Sequence, residues 1–74
     1  GGKVKTSIKL NKRPKYVSCT NEICVLFSDR VEIYSVNKGE KKSSVKCDDG
    51  VTSANKLSTK VFITRHQLID VLEA

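Results

Sequence analysis

Lys9, Lys12, Arg13 and Lys15 crowd one short stretch, and Tyr16 follows at once. Cations at that density beside an aromatic ring are suited to single-stranded nucleic acid. Ammonium and guanidinium groups neutralise phosphates, and the ring offers a face on which a base stacks. Lys41 and Lys42, flanked by Lys38 and Lys46, form a second, weaker cluster around Gly39. Two clusters on one side of a molecule would line a groove for a single strand. The alternative for both is a solvated face that keeps a small domain soluble. The distribution of charge sharpens the choice: the first 15 residues hold six cations (Lys3, Lys5, Lys9, Lys12, Arg13, Lys15) and no acid. The remaining eight cations are matched by eight acids, so the whole excess of +6 belongs to the leading segment.

Other chemistries lack their parts. His66 is the single histidine, and Cys19, Cys24 and Cys47 include no CxxC pair and no spacing that would hold a metal. An odd number of cysteines in so short a chain reads as reduced thiols acting as small hydrophobes. A thiol nucleophile needs an imidazole beside it, and nothing in the spacing brings His66 to a cysteine. Asp48 and Asp49 adjoin Gly50, as turn residues do, whereas acid–base catalysis needs carboxyls in contrasting enclosed settings. No glycine-rich loop precedes a helix. The expectation is therefore a protein with no catalytic residues, no cofactor and no metal.

The elements that must position these residues fit a single small domain over residues 1–74, with Gly1-Gly2 as an expression scar and 3–15 as a basic segment. A chain this short buries roughly 60% of its unfolded surface. No run approaches the roughly 20 apolar residues of a membrane span, so no direct membrane insertion is expected, and the chain is expected to be a monomer. No internal repeat or low-complexity tract divides it. "KVKTSIKL" (3–10) alternates as a half-buried strand does, yet Val4 and Ile8 also stand one helical turn apart. Pro14 ends that element in either case.

"EICVLFSDRVEIYSV" (22–36) predicts a hairpin with Ser28-Asp29-Arg30 as its loop. Phe27 would then face Val31 and Val25 would face Ile33, with Ile23, Val25, Phe27, Val31 and Ile33 as the core. "NKGEKK" is a turn, "SSVKC" a short strand, Asp49-Gly50 a tight turn, and "VTSANKLSTK" a loop with a short strand at Val51-Thr52. "KVFIT" is a further strand. Thr64-Arg65-His66-Gln67 has the form of a capping box, and Leu68, Ile69, Val71 and Leu72 make an apolar stripe. The spacing predicts a helix from Arg65 to Glu73, docked on the sheet.

The hairpin, the strand "KVFIT" and the closing "RHQLIDVLEA" resemble the small domain preceding the ubiquitin-like and papain-like protease domains of the largest coronavirus non-structural protein. That domain is the C-terminal part of the SARS-unique region, and the resemblance covers roughly residues 22–74. It implies a frataxin-like α+β fold without enzymatic activity. It also implies RNA binding, direct or through neighbouring modules, and a place in host cytoplasm within a larger membrane-associated replicase polyprotein. This chain departs from the family in lacking a clear N-terminal helix, and no family motif is matched residue by residue.

The expected fold is thus α+β, a small antiparallel sheet covered on one face by a C-terminal helix. A basic barrel of the OB or SH3-like kind is the all-β alternative. The expected function is single-stranded RNA binding by Lys9, Lys12, Arg13, Lys15, Tyr16, Lys41 and Lys42. A protein-interaction or spacer module that orients neighbouring domains, with no RNA binding of its own, is the reading from another class.

Overall fold

The computed structural model describes residues 7–74. Lys3, Val4 and Lys5 of the leading segment lie outside them. The described chain folds into seven antiparallel strands and no helix. In order these are β1 (Tyr16–Cys19), β2 (Glu22–Leu26), β3 (Arg30–Ser35), β4 (Lys41–Lys46), β5 (Val51–Leu57), β6 (Lys60–Arg65) and β7 (Leu68–Glu73). They form two meanders, a four-stranded sheet ordered β1-β2-β3-β4 and a three-stranded sheet ordered β5-β6-β7.

The first sheet grows outward from β2 and β3, whose β-branched and aromatic residues favour a pleated, packed backbone. Their connection is tighter than the sequence suggests. Phe27 N–H donates to the Arg30 carbonyl at 2.8 Å, which leaves Ser28 and Asp29 as the turn. Cys24 therefore stands opposite Ile33, and Leu26 opposite Val31. This corrects the expected pairing of Phe27 with Val31 by one residue, and a slip of one exchanges the two faces of a strand. The front face carries Cys24, Leu26, Val31 and Ile33, while the back carries Ile23, Val25, Phe27, Glu32 and Tyr34. Both faces are buried.

The front of the first sheet packs on the second, where Val51, Ala54, Val61 and Ile63 complete the larger core with Cys47 and Leu72 at its margin. β5 runs against β1 and β2. Two hydroxyls join the sheets at that seam: Ser18 Oγ donates to the Ala54 carbonyl at 2.6 Å, and Thr20 Oγ1 to the Lys56 carbonyl at 2.5 Å. The back of the first sheet makes a smaller core of Val25, Phe27 and Tyr34, covered by Ile8, Leu10 and Ile23. Residues 7–10 have no regular secondary structure, although Ile8 and Leu10 are half-buried there.

The α+β expectation is overturned at the C-terminus. His66 has φ 53°, a left-handed conformation that a capping box entering a right-handed helix does not contain. Arg65 ends β6, His66 and Gln67 turn the chain, and Leu68 begins β7 opposite Arg65. The apolar stripe at 68, 69, 71 and 72 fits a helix, and it fits equally a strand with apolar residues on both faces. Ile69 and Val71, β-branched and two apart, belong to the strand. With no helix among the described residues, the frataxin-like topology implied by the resemblance does not hold. The loop expected over 51–60 is also mostly strand, β5, whose hairpin turns at Ser58 with φ 59°. The polar composition misled because one side of β5 faces solvent.

His66→Gly separates the two folds directly. At a left-handed turn position glycine relieves strain, so the substitution is expected to raise the unfolding free energy measured in urea by about 1 kcal/mol. In a helix it would lower stability by about the same amount.

Candidate functional site

The cations named from the sequence differ in their partners. Lys9, Lys12 and Arg13 are exposed on the stretch before β1 and form no ion pair among the described residues, and Tyr16 beside them is 38% exposed. Lys15 is committed elsewhere, its ammonium donating to the Asp49 carbonyl at 2.7 Å. Lys41 lies 3.6 Å from Glu32 and Lys42 2.6 Å from Glu22, so both are partly neutralised by carboxylates of the first sheet. Lys56 Nζ reaches Glu22 from the second sheet at 2.5 Å, and these two lysines hold the Glu22 carboxyl below its ordinary value.

The most enclosed polar group is Glu32, on the back of the first sheet. Tyr34 Oη donates to Oε1 at 2.6 Å and Arg30 Nε to Oε2 at 2.7 Å. The Arg30 guanidinium also lies 4.7 Å above the Phe27 ring, a cation–π contact. Burial pushes the Glu32 carboxyl up, but the hydrogen bonds from Tyr34 and Arg30, with the charges of Lys41 and Arg30, outweigh it and the net shift is downward. The Tyr34 phenol, bonded to that carboxylate and buried, is pushed up to about 12. Glu32 is thus a satisfied anion, which makes it a structural group and a poor proton donor.

The Cys24 and Cys47 thiols are similarly suppressed. Burial raises Cys24 to about 11, and burial with the nearby Asp29 and Asp48 raises Cys47. His66 lies near Gly50, its Nε2 being 3.8 Å from where a Cβ would stand. No three metal-ligating side chains gather among the described residues. No family model, curated protein or solved structure matches the chain. Its function must therefore be read from its own surface.

On that surface one feature stands apart. Leu57, Phe62, Ile69 and Val71 share the face of β5–β7 turned away from the first sheet, since Phe62 is paired with Val71 and Thr64 with Ile69. Leu57, Ile69 and Val71 are 61%, 71% and 52% exposed. The sequence reading assigned Ile69 and Val71 to a buried helix stripe and Leu57 to a loop, so it missed this face. A period of two in "LIDVLE" was the signal that could have found it.

The Glu32–Tyr34 pair sets a pH window. Glu32, depressed from 4.5, stabilises the fold above that pH and ceases to do so as pH falls through its folded pKa. Tyr34, raised from 10.0 to about 12, stabilises below 10 and the contribution is lost as pH rises towards 12. Urea unfolding across pH should therefore show both losses. Tyr34→Phe should cost about 1.5–3 kcal/mol at neutral pH and remove the alkaline loss that this phenol causes.

Proposed function

We propose that this chain is a non-catalytic protein-interaction module whose working surface is the outward face of β5–β7. The observation that carries the reading is the exposure of Ile69 and Val71, on the same face as Leu57 and Phe62 of a regular sheet. Aliphatic side chains aligned on a pleated surface are costly to leave in water, and contiguous patches of this kind mark contact sites. The sheet is rigid because its opposite face is part of the main core, so a partner would meet a preformed surface.

Single-stranded RNA binding by Lys9, Lys12 and Arg13 with Tyr16 is the second reading, favoured by the unpaired state of those cations among the described residues and by the exposed ring. Lys15, Lys41 and Lys42 would join only by giving up the partners described above.

Two measurements test the module. Below the concentration at which chains associate, Ile69→Lys with Val71→Lys should leave the unfolding free energy almost unchanged, within about 0.5 kcal/mol for each exposed position, because neither side chain supports the fold of the single chain. Unfolding of that variant would end the reading. Titration with a short single-stranded RNA at two ionic strengths is expected to show no saturable binding. A slope near −3 in log K against log salt, as about four phosphate contacts give, would replace the interaction reading with the RNA one.

A further inference from the structure

The two hairpins β2–β3 and β6–β7 repeat one another. A shift of 38 positions carries each register onto the other: Cys24↔Ile33 becomes Phe62↔Val71, Leu26↔Val31 becomes Thr64↔Ile69, and Glu22↔Ser35 becomes Lys60↔Glu73. The same shift carries Glu32 onto Asp70, and each carboxylate accepts from an arginine Nε, at 2.7 and 2.8 Å. The first strands correspond as well, at a shift one residue shorter, with Ser18 opposite Cys24 and Asn55 opposite Phe62.

This correspondence gives the stacking a direction. The front of the first unit (Cys24, Leu26, Val31, Ile33, none more than 1% exposed) is covered by Val61, Ile63 and Leu72. Those three correspond to Ile23, Val25 and Tyr34, the back of the first unit. Front therefore sits on back. The front of the second unit is Phe62, Thr64, Ile69 and Val71, the open face.

A third repeat lies at the other end of the chain. Lys5 to Leu10 reads Lys-Thr-Ser-Ile-Lys-Leu, and Lys42 to Cys47 reads Lys-Ser-Ser-Val-Lys-Cys. The second of these stretches contains most of β4, which pairs with β3, and its Cys47 joins the core between the sheets. Ile8 and Leu10 pack on the back of the first sheet, as the end of a fourth strand would if it belonged to a preceding unit. Meanwhile the outer edge of β7, which corresponds to the edge of β3 that β4 occupies, pairs with no strand among the described residues.

We infer that the open face of β5–β7 receives the back of the β1–β4 sheet of a second copy of this chain, and that the second copy's Ser7–Leu10 stretch aligns along β7 as its fourth strand. The inference rests on the interaction reading and names its partner. Ile8 and Leu10 keep their places on the second copy's own Val25, Phe27 and Tyr34 and become part of a sheet. Front-to-back contact is heterologous, so it closes only as a ring. Rings of about two to four chains would contain the four to eight stacked sheets of a propeller.

The register predicts one pairing between copies. Val31 faces Val45 across β3–β4, so Ile69 should face the second copy's Ile8. Within one chain these residues lie at opposite ends of the stack. In a Cys19→Ser background, Ile8→Cys with Ile69→Cys should therefore form an intermolecular disulfide on mild oxidation, faster than either single variant. Light scattering should show the unsubstituted chain as a closed oligomer, and Ile69→Lys with Val71→Lys as a folded monomer. A chain that stays monomeric up to millimolar concentration would overturn the inference, as would cross-linking of Ile69→Cys alone at the rate of the pair. If the lysine variant is folded in either case, the interaction reading survives. If it unfolds, both fall.

Discussion

A hairpin buried on both faces cannot stand alone. β2 and β3 bury Cys24, Leu26, Val31 and Ile33 on one side and Val25, Phe27 and Tyr34 on the other, and each face needs its own cover. Antiparallel sheets usually leave one face to solvent. Here the alternation of apolar and polar residues is replaced by a nearly continuous apolar run. The second sheet supplies one cover and the stretch around Ile8 and Leu10 supplies the other. The architecture follows from this as a stack of sheets, and the seam hydroxyls of Ser18 and Thr20 fix how β5 lies along β1.

The polar groups inside the stack follow the same logic. Glu32 is acceptable on a buried face because Tyr34 and Arg30 satisfy its two oxygens, and Arg30 in turn rests on Phe27. An unpaired carboxylate there would cost several kcal/mol. The second hairpin carries Asp70 at the corresponding place with Arg65 as its donor. The donor has moved to the neighbouring strand: Phe27 with Arg30 in one hairpin has become Arg65 with Leu68 in the other. An apolar residue and an arginine flank each turn, in opposite order.

That exchange explains how much of the fold was legible in the sequence. The strands over 22–36 and "KVFIT" could be read because β-branched residues cluster there, "SSVKC" because turn signals bound it, and Val25, Phe27, Val31 and Ile33 are indeed buried. The register could not, because Ser28-Asp29-Arg30 allows a three-residue loop as readily as a two-residue turn. The terminal strand was hidden by Leu68, Ile69, Val71 and Leu72, whose spacing suits both periods. The repeat was hidden because it is kept in pairing and residue class, with Cys24 answered by Phe62 and Tyr34 by Leu72. Nor could the sequence place the cations, since Lys41 and Lys42 find Glu32 and Glu22 only through strand pairing.

The lysines themselves have a second physical meaning once the strands are known. β4 is the outer strand of its sheet, and Lys41, Lys42 and Lys46 stand on it. Charged side chains on an edge strand deter uncontrolled pairing with another chain, because any partner strand must accommodate ammonium groups. Lys9 stands between Ile8 and Leu10 as Lys46 stands between Val45 and Cys47. Lys9 thus has the sequence position of the solvent-side lysine of an outer strand. Such an edge still accepts a partner that brings apolar residues to its inner side and leaves the lysines in water. Selectivity of that kind is what stacked sheets with one open face require.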